Sequence, residues 1–246
     1  SIQGVRFLDR IEKKGRGLNL TLQVLDGILC HDGEIHQERL APAGEKSFAH
    51  FNQELQRKLQ EPGHDLKPMT LEGCVVRFAD TISYIGRDLE DAILLGLVRR
   101  EELPKLVVER LGRTNGTIVY NLVTDLILNS AKKNYVCYSP EIGEALRELK
   151  AFNYRRIYQN PRIKAQTDKI AGLFRRLFRK FLQDIKDKRQ ESPIWMDFLR
   201  QMSPAYLEEH LPAEMVRDYL ASMTDAQFLR QSREQFFPRP LKVPFS

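Results

Sequence analysis

The sequence predicts an all-α fold, and three observations carry that expectation. Apolar residues recur at helical spacing along almost the whole chain. No stretch alternates apolar and polar residues over the length of a strand. Segment after segment opens on a helix-starting signal: Thr70, Thr114, Ser139-Pro140 and Asn160-Pro161. No internal repeat is present.

Taken in order, Ile2, Val5, Leu8 and Ile11 already fall at helical spacing, with no cap or loop ahead of them. The chain is therefore expected to be the remainder of a longer one. Leu18, Leu22, Leu25 and Leu29 form one stripe over residues 18–29, with Gly27 and Gly33 near its end. A polar stretch leads to a helix over 46–60, closed by Pro62-Gly63. Thr70 caps a helix that is expected to break or kink near Gly86 and to continue over 87–98. Pro104 opens a short helix, and capped helices cover 114–131, 139–158 and 160–188. Shorter helices are expected near 192–202, 203–210, 212–221 and 224–234, before a Pro-rich, extended tail over 237–246. Two portions are expected: residues 1–134, and a C-terminal helical subregion over 135–246.

Length and composition fit a folded core, with 246 residues, 42% hydrophobic and 29% charged. No apolar run approaches the roughly 20 residues of a membrane span. The three cysteines, Cys30, Cys74 and Cys137, are too scattered for a disulfide framework or a zinc cluster. They fit buried thiols in a reducing cytoplasm. The net charge of +6 mildly favours anionic partners.

His31-Asp32 raises the question of a metal site. A His-Asp doublet needs another His upstream and an Asp well downstream, yet none of the five histidines (His31, His36, His50, His64, His210) precedes His31. The doublet is expected to be a helix end, where His suits the dipole and Gly33 ends the turn. His64-Asp65 does have histidines before it. It follows Pro62-Gly63 in a loop, which is poor support for a metal.

The strongest chemical signal lies over 71–93. Amid Val75, Val76, Phe78, Ala79, Ile82 and Ile85, the residues Asp80, Tyr84 and Asp88 recur every four positions and share a face. A carboxylate deep in an apolar helix is costly unless paired or bound to a cation. Asp80 is thus a metal-ligand candidate. Tyr84 suits stacking or hydrogen bonding, and Asp88 can accept from a sugar hydroxyl. The bland alternative pairs Asp80 with Arg77 or Arg87. Lys150, Tyr154 and Tyr158 repeat the same spacing further on, which suits a phosphate contact beside aromatic packing, or two core tyrosines.

The segments "GLNLTLQVLDGILCHDGE", "TLEGCVVRFADTISYIGRDLEDAI", "TNGTIVYNLVTDLILNS", "LKAFNYRRIYQNPRIK" and "VRDYLASMTDAQFL" together resemble the HD-domain, dGTPase-like deoxynucleoside triphosphate triphosphohydrolases. The resemblance spans nearly the whole chain. It implies an HD-domain-like helical bundle that cleaves a dNTP into deoxynucleoside and tripolyphosphate. It also implies a divalent metal (Mn, Mg, Fe, Ni or Zn) at a His…His-Asp…Asp set. Asp80 resembles the final Asp of that set. Tyr84 and Asp88 resemble the pair that reads deoxyribose, Lys150 a phosphate contact, and Tyr158 a tyrosine near sugar and base; Arg155 and Arg156 are weaker candidates. Thr81 stands where some relatives carry a phosphate-contacting Lys. The other metal ligands of the family precede a segment like "IQGVRF", so this chain alone is expected to be inactive. Homo-oligomers are implied as well. The competing reading is a non-catalytic module that binds nucleotide or single-stranded nucleic acid through Arg175, Arg176, Arg179 and Lys180, with Phe174, Phe178 and Phe181 as core.

Overall fold

A computed structural model describes residues 2–32 and 38–238. In chain order it contains α1 (Ile2–Arg6), a π-helical turn (Phe7–Ile11), α2 (Glu12–Gly15), α3 (Leu22–Cys30), β1 (Arg39–Leu40), α4 (Phe48–Gln60), α5 (Leu71–Leu94), α6 (Lys105–Arg110), α7 (Asn115–Ser130), β2 (Val136–Cys137) and α8 (Pro140–Asn153). There follow a second π-helical turn (Tyr154–Tyr158), α9 (Pro161–Lys164), α10 (Thr167–Lys186), α11 (Pro193–Asp197), α12 (Pro204–Glu209), α13 (Pro212–Ala221) and α14 (Asp225–Phe236). Short 3₁₀ turns lie at Arg100–Glu102 and Leu199–Gln201. The fold is all-α. Its described strands are one antiparallel pair, Arg39 opposite Cys137 and Leu40 opposite Val136. Two residues are too few to leave an alternation in the sequence. Gly33, His36 and the tail from residue 239 lie outside the described residues. Among the described residues, no helix is long and apolar enough to cross a membrane.

The chain packs as two compact units: Ser1–Val5 with Leu20–Ala165, and Arg6–Asn19 with Gln166–Ser246. Position 135 lies inside the first unit, where the β1–β2 pair joins residues on both sides of it.

In the first unit α5 packs against α3, α7 and α8. Its buried stripe runs through Cys74, Phe78, Ile82, Ile85 and Leu89, and Thr70 caps its start by accepting from Gly73 N–H at 3.1 Å. The break expected near Gly86 does not occur, and α5 is continuous over 24 residues. Gly86 serves packing instead. A Cβ there would lie 2.6 Å from Asn115 Oδ1 and 3.2 Å from Asn115 Cα, so the glycine lets the start of α7 approach α5. Gly27 and Gly73 likewise bring α3 against α5, with Gly27 Cα 3.6 Å from where a Gly73 Cβ would stand. Beside this contact, fully buried Asp26 accepts from Lys46 Nζ at 2.7 Å and from Met69 N–H at 2.6 Å. That pairing compensates a carboxylate removed from water. All three cysteines are free and buried. Burial pushes the Cys30 thiol up to about 12 and the Cys74 thiol up to about 11, so both stay protonated and unreactive at neutral pH.

The expected helices over 139–158 and 160–188 are each divided. The first ends in the π-helical turn, and the second is interrupted at Ala165–Gln166 between α9 and α10.

In the second unit, Leu177, Phe181, Tyr206, Val216 and Tyr219 pack together in a core. Asp218 is fully buried there and accepts from Arg6 at 2.8 Å through both oxygens and from Tyr206 Oη–H at 2.8 Å. On α10, Phe181 is core as expected and Phe178 is packed against it. Phe174 differs: it is 44% exposed and stacks on Phe228 at 4.1 Å.

Two expectations follow. Gly86→Val should destabilise the protein by about 1–3 kcal/mol through overpacking against Asn115, whereas Gly172→Ala on α10, where a Cβ meets nothing within 4 Å, should stabilise it by about 0.4–1 kcal/mol; urea unfolding of both variants checks this. Asp218→Ala should cost about 3–5 kcal/mol by stranding the Arg6 charge, seen as a lower thermal midpoint.

Candidate functional site

The first unit holds a cavity of about 810 Å³. One wall is α5, which contributes Asp80, Tyr84, Ile85 and Asp88. The facing wall is the end of α8 and the π-helical turn, which contribute Lys150, Ala151, Tyr154, Arg155, Tyr158 and Gln159; Lys164 and Asp32 complete the lining. Asp80, Tyr84 and Asp88 therefore share a face across a continuous helix, and Lys150 and Tyr158 look onto it. Arg155 also lines the cavity. Arg156 is not among the lining residues and pairs with Glu102.

The π-helical turn decides which side chains the second wall presents. Gln159 N–H donates to Tyr154 C=O at 3.0 Å, a bond over five residues that widens the turn. Both Tyr154-Arg155 and Tyr158-Gln159 thereby face the cavity. The turn is fastened to α5 at two points. Buried Asn153 donates from Nδ2 to Ile85 C=O at 2.9 Å. Tyr158 Oη–H donates to Asp88 Oδ2 at 2.5 Å. Burial, reinforced by Asp88, pushes the Tyr158 phenol well above its ordinary value, so it stays a proton donor at neutral pH.

Asp80 is not deep in an apolar environment. It lies on the flank of the buried stripe, half-buried, and the neighbouring Val75 and Val76 are 48% and 47% exposed. Neither proposed arginine serves it. Arg77 is buried and donates to Asp65 and, at 2.6 Å, to Leu66 C=O, while Arg87 lies 3.6 Å from Asp91. Thr81 is buried, 7% exposed, and is not among the lining residues.

His31 ends α3, with Nδ1 2.6 Å from Ile28 C=O, which fits a helix-end role. Asp32 is different: its carboxylate lies 3.3 Å from Lys58 Nζ and it lines the cavity. Sequence reasoning missed this residue because it weighed the doublet as a pair. His64-Asp65 is taken up by Arg77 and by Glu61, 3.8 Å from His64 Nδ1. Among the described residues, no group of three or more His, Cys, Asp or Glu side chains is placed to hold a metal ion. Asp80 and Asp32 do not complete a set.

The cavity thus sets carboxylates on α5 against cations on the facing wall, with tyrosines between. Such a site can hold a ligand with an anionic end, a hydroxylated middle and a flat ring. Removing the fastening should show: Asn153→Ala is expected to cost about 1–3 kcal/mol, and to raise amide exchange over residues 154–159 in hydrogen-exchange mass spectrometry.

Residues 136–234 match the family described as phosphohydrolase-associated domain. Over 240 residues the chain is 32% identical to a deoxyguanosinetriphosphate triphosphohydrolase-like protein of Caldanaerobacter subterraneus subsp. tengcongensis, covering 98% of this chain and 58% of that protein. Proteins with the same name from Clostridium tetani and Desulfatibacillum aliphaticivorans are 29% and 30% identical, with 97% and 98% of this chain and 60% and 62% of theirs covered. The chain spans about three-fifths of the length of these relatives.

Proposed function

Because this chain belongs to the deoxyguanosinetriphosphate triphosphohydrolase-like family, we propose that its cavity is the nucleotide site of a deoxynucleoside triphosphate triphosphohydrolase. The observation that carries this reading is the shared cavity of Asp80, Tyr84 and Asp88 with Lys150 and Tyr158. In the proposed reaction, water adds to the α-phosphorus and the bond from that phosphorus to the sugar O5′ breaks. The deoxynucleoside leaves with a proton, and tripolyphosphate is the other product.

Each side chain has a proposed part. Lys150 meets phosphate oxygens and stabilises the charge they carry as the bond breaks. Asp88, held by Tyr158, accepts from the sugar 3′-hydroxyl. Tyr84 packs under C2′, where a ribose hydroxyl has no room. Arg155 adds positive charge beside Lys150. Asp80 is assigned as one ligand of a divalent metal, which would act as a Lewis acid at the α-phosphate when bound. Because the described residues do not complete that ligand set, the 246-residue chain alone is expected to bind dNTPs without turning them over. Homo-oligomerisation is part of the proposal. The competing nucleic-acid reading is weaker: Lys180 is committed to Asp184 at 2.5 Å, Arg176 lies over Phe236, and Phe181 is core.

The test is equilibrium binding of all four dNTPs and their ribonucleotide counterparts, with an assay for deoxynucleoside and tripolyphosphate in Mn²⁺ or Mg²⁺. Expected are dNTP binding that prefers deoxyribose and falls at least about tenfold in Asp88→Ala, and no release of tripolyphosphate. Failure to bind any dNTP would overturn the nucleotide assignment. Steeply salt-dependent binding of single-stranded DNA without dNTP binding would favour the alternative.

A further inference from the structure

We propose that the second unit carries a binding site of its own, for an apolar ligand with an anionic head: a medium-chain acyl carboxylate. The site does not depend on the nucleotide reading of the first unit's cavity. Along α10 one pair of residues repeats a turn apart, Phe174-Arg175 and Phe178-Arg179, so two rings and two guanidiniums share a side of the helix. Together with Arg217, Leu220 and Ala221 of α13 they line a pocket of about 430 Å³. Its walls are held in place. Phe174 stacks on Phe228 with ring centroids 4.1 Å apart, and Phe178 and Leu220 belong to the core of the unit. Arg217 Nε donates to Asp218 Oδ1 at 3.2 Å, and its Nη2 lies 3.8 Å from Glu214.

Charge selects the head of the ligand. Cationic and acidic residues balance in the first unit, so the net charge of +6 falls in the second. Arg217 is engaged by Asp218 and Glu214, which leaves the anion to α10. Among the described residues, Arg175 and Arg179 have no ion-pair or hydrogen-bond partner. Two like charges one turn apart repel each other. A carboxylate set between them relieves that repulsion and accepts from both guanidiniums, whose planar forks match its geometry. The remaining lining selects the body of the ligand. Apart from the three arginines, the lining side chains are two phenylalanines, a leucine and an alanine, with no hydroxyl, amide, imidazole or carboxylate among them. A nucleobase placed there would bury its polar edge without partners. An acyl chain has no such groups to leave unpaired. The volume lies at the small end of the roughly 300–1,000 Å³ range of ligand pockets, which suits a single chain.

The test is calorimetric titration of the full 246-residue chain with octanoate, hexanoate and 1-octanol, and with phosphatidylglycerol vesicles. It is repeated on the double variant Arg175→Met with Arg179→Met, and on Ala221→Phe, which fills the pocket; circular dichroism checks that both fold. The native chain should bind octanoate. Hexanoate, two methylenes shorter, should bind about tenfold more weakly, and 1-octanol, which lacks the anion, should also bind about tenfold more weakly. The double variant should bind octanoate and 1-octanol alike, and Ala221→Phe should bind neither. Failure of the native chain to bind octanoate would overturn the proposal, as would equal affinity for octanoate and 1-octanol. Octanoate binding undiminished in both variants would overturn it by placing the ligand elsewhere. Binding of the vesicles without binding of free octanoate would overturn it in favour of a lipid surface.

Discussion

The amide of Asn153 donates to the carbonyl of Ile85 at 2.9 Å, with Asn153 fully buried. Ile85 C=O sits in the middle of α5, so this amide joins a helical carbonyl that has a second lone pair to offer. In a buried setting the bond is strong and its loss is costly. It sets where the chain leaving α8 meets α5. Once Asn153 is level with Ile85, Tyr158 comes level with Asp88, and Lys150 falls toward Asp80. The face of α5 and the wall opposite it become one cavity because of this register.

The π-helical turn that follows depends on the same fastening. A π turn is rarely stable by itself and is found mostly where function is concentrated. Here the buried Ile157 anchors its inner side and the Tyr158–Asp88 bond anchors its far end. Beyond it, Asn160 caps α9 and grips the turn at Arg156. Two asparagines, 153 and 160, thus bracket a six-residue segment, 154–159, that places four side chains on the cavity. The outer surface of the segment is tied by Arg156 to Glu102, whose carboxyl is held below the usual range first by Arg99 and then by Arg156. That pair is exposed and contributes little to stability. The inner bonds carry the geometry.

Much of this was legible in the sequence. Period-four spacing put Asp80, Tyr84 and Asp88 on one face, and placed Lys150, Tyr154 and Tyr158 on another, because helical spacing needs no tertiary information. Caps at Thr70, Thr114, Ser139 and Asn160 were readable for the same reason, and each accepts a backbone N–H in the folded chain. What escaped was tertiary. Gly86 looks like a helix breaker, and only the approach of Asn115 shows that it is a packing notch. The depth of Asp80 is not legible in the sequence, since the apolar residues about one turn before it, Val75 and Val76, face away from the core. No local pattern announces the Asp26–Lys46 bracket, which joins α3 to the segment before α4. Nor does one reveal that Asp32 reaches the cavity.

Asp32 sharpens the question of charge at one end of that cavity. Gly27 of α3 packs on Gly73 of α5, and Asp32, just beyond α3, lines the cavity together with Asp80. Two carboxylates are therefore near the place assigned to the phosphates. Lys58 lies 3.3 Å from Asp32 and offsets its charge. Asp80 has no such neighbour in Arg77 or Arg87, which are engaged elsewhere. A polyphosphate brought against an uncompensated carboxylate is repelled, and Lys150 with Arg155 supply only part of the balance. Lys150 and Arg155, which line the cavity with Asp80, are the cations at hand to offset that repulsion.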